Sequence, residues 1–400
     1  MKFNYEKLGN LIELSETKNK DLAVTNLVGM NINKEFMPSV ANTVGTNLAN
    51  YKVIQRNQFA YNNMQVGRDR TIRVARYDDL NLSIISPAYK IFQIIDTNKL
   101  NSEFLMLYFL RSEFDRLCWF YTDSSIRGSL DWHQFCDIDV PVPPIEIQTK
   151  IVKIYNFLNE RIKLKEKINK NLEDQLSLIF DDMFIKCSNY DEESLVKTDW
   201  EKIPKEWENI DFGDIIKITS GDRPDEKSEI KTSEFNIPLF GASKIMGYTK
   251  EFSYNEDILI IGRVGTHGVI QRVNYPCFPS DNTFVIKSEY YGFVYQLLKR
   301  IDYDSLNTGS TQPLITQKSL KTVNVVLPDK NSLFSFEKIS KTIFDKIYIN
   351  QNEISILQKL RDTLLPKLMS GEIDVSEINC DLKIIIKFIL NPLNYFYGGI

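Results

Sequence analysis

Histidine is scarce in this chain, two residues in 400, and cysteine is sparse at five. Cys118, Cys136, Cys187, Cys277 and Cys380 are scattered, no two within four residues of each other. That spacing excludes a C-x-x-C zinc pattern and points to reduced thiols in a cytoplasmic protein, not to a disulfide-stapled secreted one. His133 and His267 stand one in each half, too few for a hydrolytic constellation or a metal site, so no catalytic residue and no metal ligand is expected. No Walker-type phosphate loop is present. Charge of one sign is also missing: 49 Lys and Arg against 53 Asp and Glu give a net −4, which excludes a uniformly basic coat but leaves room for a local patch. The start, Met1 to Glu6, lacks the apolar run of a secretory signal. The longest apolar stretch, Leu382 to Tyr397, is broken by Lys383, Lys387, Asn391, Pro392 and Asn394, whereas a membrane span needs about 20 nearly uncharged residues. Asn391-Pro392-Leu393-Asn394-Tyr395 resembles the Asn-Pro-Pro-Tyr motif of amino-methyltransferases, but the second proline is absent and no glycine-rich cofactor turn precedes it.

What the chain does have is an internal repeat covering nearly half its length. Each half reads as a β-rich segment, a short helix, a strand ending in proline, then a long helix. The first half opens at Leu8 to Leu14, with strand-like runs at Tyr51–Ile54, Gln58–Tyr61, Thr71–Ala75, Leu82–Ile85 and Ala88–Ile95. Ser102 reads as the N-cap of one amphipathic helix carrying Phe104, Leu105, Leu107, Tyr108, Leu110 and Phe114. Ser124 to Gly128, then Phe135 to Val142 and Pro143-Pro144 follow. The second half opens at Phe212 to Ile218 and continues through Ile258–Ile261, Gly268–Val273 and Thr283–Ile286. A helix over Tyr291 to Leu298, then Thr308 to Gln312, then Leu320 to Leu327 and Pro328 complete the order. Pro143 and Pro328 hold the same place in the two halves, and Phe135 and Leu320 keep the same separation as the prolines.

Behind each proline lies a long helical pattern with apolar positions in steps of four and three. In the first these include Leu158, Ile162, Leu172 and Leu176, with Lys165 and Asn169 interrupting the seam. In the second they include Ile343, Ile347, Leu357 and Leu364. The two helices align at a slightly larger offset than the prolines do, so a short insertion separates proline from helix in the second half. A seven-residue repeat of this length indicates a coiled coil, and the simplest partner for each seam is the other. Antiparallel pairing would place the globular parts at opposite ends of helices about 50 Å long at 1.5 Å per residue.

Local basic charge is strongest from Lys52 to Arg76, where Lys52, Arg56, Arg68, Arg70, Arg73 and Arg76 face Asp69 alone, a net +5 over the stretch. Arginine suits bidentate contact with guanine or phosphate, and exposed Asn or Gln suits adenine. Residue chemistry and loop position select Asn63, Arg68, Arg70 and Arg73 as DNA-contacting candidates in the first half. In the second they select Arg263, Thr266, His267 and Arg272, with Ser310 and Gln312; Gly265 and Gly268 would let that loop approach a backbone closely. With a net negative charge the chain alone would bind DNA weakly, because affinity at physiological salt comes largely from phosphate neutralisation.

Three segments carry a resemblance. Ser86-Pro87-Ala88-Tyr89 with Phe92, Ile138 to Gln148 (Ile-Asp-Val-Pro-Val-Pro-Pro-Ile-Glu-Ile-Gln) and Leu360 to Ile373 (Leu-Arg-Asp-Thr-Leu-Leu-Pro-Lys-Leu-Met-Ser-Gly-Glu-Ile), in register over the repeat, resemble the specificity subunit of Type I restriction–modification systems across residues 1 to about 375. The resemblance implies an α+β fold with two similar mixed target-recognition domains separated by two long antiparallel coiled-coil helices, a pseudo-twofold repeat. The expected boundaries are 1–144, 145–187, 188–328 and 329–375, with a divergent apolar tail at 376–400. It implies a non-catalytic subunit that reads a bipartite, asymmetric site on double-stranded DNA. Two adenine-methyltransferase subunits that bind S-adenosylmethionine would dock on the helices, and ATP-dependent motor and nuclease subunits can join. This chain would hold no cofactor and touch no membrane. Two departures stand out: Pro328-Asp329-Lys330 replaces Pro143-Pro144-Ile145, and Gln148 has at best Glu337 in its place. Residues 376–400 match nothing in the family, and packing on a partner, covering the helix pair and a recombined end are all open to them. The competing reading is a coiled-coil scaffold with two protein-binding domains; the basic patch argues against it.

Overall fold

A computed structural model describes residues 3–40, 45–64, 66–122, 128–197, 202–265, 268–307 and 314–376. Among them run the helices α1 (Val66–Asp69), α2 (Ser102–Phe109), α3 (Ser112–Phe120), α4 (Trp132–Cys136), α5 (Ile145–Phe180), α6 (Tyr291–Leu298), α7 (Gln317–Lys321) and α8 (Lys330–Ser370). The chain divides into two units, one taking the described residues of Met1–Leu164 and Glu353–Ile400, the other those of Lys165–Asn352. Each long helix contributes residues to both.

In the first unit the strands Ile12–Leu14, Lys90–Ile94, Phe59–Asn62 and Arg73–Arg76 form, in that spatial order, an antiparallel sheet. Tyr5–Lys7 pairs separately with Asp139–Pro141. Phe59 stacks on Phe92, and both join Tyr61, Phe109, Phe114, Trp132 and Phe135 in one buried aromatic cluster. Aromatic residues make up 12% of the chain, and many of those in this unit sit in its sheet core. Three local expectations are corrected. Asn101, not Ser102, caps α2: its side-chain oxygen accepts from the Glu103 and Phe104 amides at 2.8 and 3.1 Å. The single expected helix is two, because the chain turns at Leu110-Arg111 and thereby buries both Phe109 and Phe114. Ser86 to Tyr89 is a turn closed by the Tyr89 amide on the Ser86 carbonyl at 3.1 Å, and the strand starts only at Lys90. Pro87 has no amide hydrogen to give to a ladder.

The second unit repeats this plan. Lys217–Ser220, Thr283–Lys287, Ile258–Gly262 and Ile270–Val273 form a sheet of the same order and sense, and Glu208–Asp211 pairs with Asn324–Leu327 as Tyr5–Lys7 does with Asp139–Pro141. The duplication holds at single residues, and those of α4 and α7 keep the separation of the two prolines. Asp131 caps α4 in a reciprocal box with Gln134, and Thr316 caps α7 in the same way with Ser319. Gly9 lies so close to α4 that a Cβ would stand 2.8 Å from the Cys136 Cβ, and Gly213 lies 3.0 Å by the same measure from that of Lys321.

The long helices pair antiparallel within each unit. In the first, Leu158 and Ile162 of α5 bury against Leu357 of α8, flanked by Leu364, and the Arg361 guanidinium donates to Asn159 at 3.0 Å. Arg161 pairs with Glu353. Burying each such aliphatic side chain is worth roughly 1.5–3 kcal/mol. In the second, Leu176 and Phe180 meet Leu333 and Phe336, with Ile343 at the edge; Leu172 is half-buried and Ile347 buried. The interruption read at Lys165 and Asn169 is a polar layer: buried Asn350 accepts from Lys165 at 2.9 Å and donates to Asn169 at 2.8 Å. α5 ends in a wider turn over Asp181–Ile185. α8 ends at Gly371, whose φ of +75° suits glycine.

Each long helix is clasped to its unit near its start. Gln148, the fourth residue of α5, is fully buried; its carbonyl accepts from the Asn101 amide at 2.8 Å, and its NH2 donates to the Lys99 and Pro143 carbonyls. Glu337, the eighth residue of α8, accepts from the Gly292 and Phe293 amides at 3.0 and 2.8 Å. Both side chains accept amides at the start of a helix, of α2 and of α6, though only Gln148 also donates. The expected insertion between proline and helix is corrected: both long helices begin two residues after their proline, and α8 instead begins one helical turn earlier relative to its clasp. Burial pushes the Glu337 carboxyl up, against the pull of those two amides. Asp329, in the departing Pro-Asp-Lys sequence, caps α8 by accepting from the Asn331 and Ser332 amides at 2.9 and 3.0 Å, and also takes the Tyr190 hydroxyl at 2.8 Å.

Among the described residues no helix is long and apolar enough to cross a membrane. Cys118, Cys136, Cys187 and Cys277 are free thiols, and Cys380 lies outside the described residues.

Candidate nucleic-acid interface

Asn63, Arg68 and Arg70 in the first unit and Arg263 in the second fall on the same element of the duplicated fold, the connection between the last two strands of each four-stranded sheet, and Arg73 opens the strand that follows it. In the first unit it runs from Asn63 to Ile72 between Phe59–Asn62 and Arg73–Arg76. In the second it runs from Arg263 to Val269 between Ile258–Gly262 and Ile270–Val273. Asn63 and Arg263 are equivalent: the Leu130 amide donates to the Asn63 carbonyl at 3.3 Å, and the Ile315 amide, its counterpart in the second repeat, to the Arg263 carbonyl at 3.0 Å. A second segment, leading into α4 or α7, therefore lies beside each connection.

In the first unit, α1 occupies the connection. Asp69 binds the Arg68 Nε at 2.7 Å and an Arg73 terminal nitrogen at 2.8 Å. Hydrogen bonding from Arg68, joined by Arg73, holds the Asp69 carboxyl below the ordinary carboxylate range. Both guanidiniums are thus positioned by one carboxylate, leaving a net positive charge. Arg70 follows in a left-handed conformation, φ 52°, which aims its exposed side chain away from this group and onto the Trp119 ring, 5.0 Å from the centroid. No carboxylate pairs with it among the described residues. The connection is anchored from below by Asp115 of α3, which accepts from the Ile72 amide at 3.1 Å and pairs with buried Lys34 at 2.8 Å. The Gly67 amide donates to the Gly128 carbonyl at 3.2 Å, tying α1 to the segment before α4.

The basic stretch read from sequence is not one surface. Lys52 turns inward, its side chain 13% exposed and 3.9 Å from Glu16. Arg76 is equally covered and binds Asp78 at 2.6 Å. Strand alternation sends these two toward the body of the unit, so the exposed cations of this region are Arg56, Arg68 and Arg70, with Arg73 half-buried.

In the second unit Gly265 and Gly268 have φ of +80° and +76°, a backbone conformation that glycine adopts without strain. Arg263 lies over the Phe284 ring at 5.7 Å, and its Nε is buried without a hydrogen-bond partner among the described residues. Arg272 is placed differently from the loop position expected. It projects from its strand onto the long helices, pairs with Glu173 of α5 and lies 3.9 Å from the centroid of Phe344 of α8. Its side chain is only 16% exposed, which makes it a structural clasp in this arrangement. Thr266, His267, Ser310 and Gln312 lie outside the described residues. His133 sits in the first turn of α4.

Two features escaped sequence reasoning: the double ion pair on Asp69, and the consecutive exposed aromatics Trp119, Phe120 and Tyr121 closing α3. An aromatic run at the end of an amphipathic helix was the available signal.

Residues 7–174 and 204–364 match the family described as Type I restriction modification DNA specificity domain, once per repeat. The MjaIX specificity subunit of a Type I restriction enzyme from Methanocaldococcus jannaschii is 29% identical over 269 residues, 60% of this chain and 62% of that protein. The chain thus spans about three fifths of that relative's length. The HindI specificity subunit from Haemophilus influenzae is 20% identical over 80% of this chain and 88% of its own. Among solved structures, the S subunit of a Type I restriction–modification system from M. genitalium superposes with a TM-score of 0.57 at 16% identity, covering 92% of this chain and 96% of its own. The duplicated sheet order, the paired long helices and two matches in register place this chain in the Type I restriction–modification DNA specificity family.

Proposed function

We propose that this chain reads a bipartite, asymmetric site on double-stranded DNA, one half with each unit, and carries out no chemistry itself. The observation that carries this reading is the placement of the candidate loops: the same connection in each unit, anchored by the same backbone bond to Leu130 or Ile315, yet bearing different residues. Equal scaffolds with unequal loops are what reading two different half-sites calls for. Arg68 and Arg73, held in place by Asp69, suit phosphates or guanine edges, and phosphate contacts would give an affinity that falls with salt.

On this reading the paired helices dock two adenine-methyltransferase subunits, which bring S-adenosylmethionine, and motor and nuclease subunits that use ATP join the same assembly. Exposed apolar side chains on the helices, among them Leu178, Phe334 and Ile349, support a docking role.

The test is a genome-wide map of methylated adenines in the native host with and without the gene. A split motif that loses methylation on deletion supports the reading and gives both half-sites. A methylation pattern independent of the gene sinks it.

A further inference from the structure

α3 closes on three large aromatic residues that face solvent, Trp119 at 44%, Phe120 at 79% and Tyr121 at 44% exposure. This departs from most of the unit's rings, among them Phe59, Phe92, Phe109, Phe114 and Phe135, which pack into the sheet core. The run is ordered. The Thr122 hydroxyl donates to the Trp119 carbonyl at 2.8 Å, the Phe120 and Tyr121 rings meet edge to face at 5.5 Å, and Arg70 covers Trp119. α3 also anchors the basic connection through Asp115, so the aromatics border the cations of α1. The second unit shows no counterpart among its described residues: α6 is followed by turns and not by a second helix.

Phe120, exposed to this extent beside guanidinium groups, buries little of its ring in the fold. Aromatic faces stack on bases at about 1–3 kcal/mol each, and apolar side chains bordered by cations can enter a base step while the cations hold the phosphates. Charge complementarity selects DNA as the occupant. We infer that Phe120, backed by Trp119 and flanked by Arg70, makes an apolar contact to a base in the half-site read by the first unit, with Arg70 on an adjacent phosphate. This rests on the DNA-reading function proposed above and adds a base-contacting residue to it.

The test maps methylated adenines in hosts carrying the wild-type gene, Phe120→Ala, Phe120→Tyr or Arg70→Ala in place of it, so that the assembled complex is assayed. Phe120→Ala is expected to relax one or two adjacent positions within one half of the motif by about 10-fold or more in preference, leaving the other half intact. Phe120→Tyr should keep the wild-type motif. Arg70→Ala should reduce methylation at all sites without relaxing any position. An unchanged motif and extent with Phe120→Ala overturns the inference. So does a uniform loss of methylation with no position relaxed, which would mark a protein contact. If deleting the gene alters no methylated motif, the DNA-reading function itself fails, and that outcome is distinct from both.

Discussion

Removing the carboxylate of Asp115 tests how the basic connection is supported. Lys34 is nearly sealed, its side chain 4% exposed, and its ammonium donates to the Phe109 carbonyl and to Asp115. Burial pushes the Lys34 amine down and the Asp115 carboxyl up, each partly offset by the other, so the pair is held against a desolvation cost. Asp115→Ala leaves the ammonium with one neutral acceptor and strips the Ile72 amide of its partner. Breaking a buried pair in this way costs about 3–5 kcal/mol. An independent ceiling comes from titration. At worst Lys34 sheds its proton, and from an ordinary value of 10.5 down to pH 7 that costs about 4.8 kcal/mol at about 1.36 per unit. The sign follows: a lysine neutral in the folded variant and charged when unfolded binds fewer protons folded, so the variant gains stability as pH rises toward 10.5. Between pH 7 and 9 the deficit relative to wild type should shrink by up to about 2.7 kcal/mol. The assay is urea unfolding read by hydrogen exchange in the buried strands Phe59–Asn62 and Lys90–Ile94. Lys34→Met with Asp115→Leu should recover at least half the loss, since replacing both partners is far milder than removing one. A deficit under about 1 kcal/mol at pH 7, or one that grows as pH rises from 7 to 9, would refute the argument.

Other expectations are equally direct. Gly292→Ala sets a Cβ 2.1 Å from the Ser340 Oγ and 2.5 Å from its Cβ, so it should cost about 1–3 kcal/mol or more in urea unfolding, with Ser340→Gly restoring part of that loss. Burial works to raise the Asp329 carboxyl but is outweighed by hydrogen bonds from Ser332, Tyr190 and Trp207, which hold it at about 2. Its contribution is therefore complete above about pH 4 and lost as pH falls through about 2, and Asp329→Ala should cost about 0.5–2 kcal/mol at pH 7 but little at pH 2. Replacing Lys165, Asn169 and Asn350 together by leucine should leave stability unchanged or raised, because a satisfied polar layer seldom outweighs a packed apolar one; a loss above about 2 kcal/mol would contradict that.

The repeat, the long helices and the closing strands were legible because each rests on a periodicity or a proline that local sequence displays. The backbone bonds that recur, Leu130 to Asn63 and Ile315 to Arg263, were not legible: Leu130 and Ile315 keep the separation of the prolines, but Asn63 and Arg263 do not, because the strands between differ in their connections. Glu337 was legible only as a weak stand-in for Gln148, since a carboxylate and an amide look unlike on paper yet both can accept from amides at the start of a helix. The charge count over Lys52 to Arg76 misled in part. A run of cations says nothing of which face of a strand each takes, and Lys52 and Arg76 turn in. Arg272 misled for the same reason: its partners Glu173 and Phe344 belong to α5 and α8, far from it along the chain on either side.

The polar layer in the helix pair has a consequence for how errors are refused. An apolar seam of leucines and isoleucines is forgiving: slide one helix by a turn and aliphatic groups still meet aliphatic groups. Asn350 does not allow this. Moved by a turn, it would leave both Lys165 and Asn169 and bury its amide with neither donor nor acceptor opposite, at about 1–3 kcal/mol for each group left wanting. The layer works like the notch in a key blank. It adds little grip, but it converts a continuum of nearly equal alignments into one setting, and every other position on the two helices is counted from it.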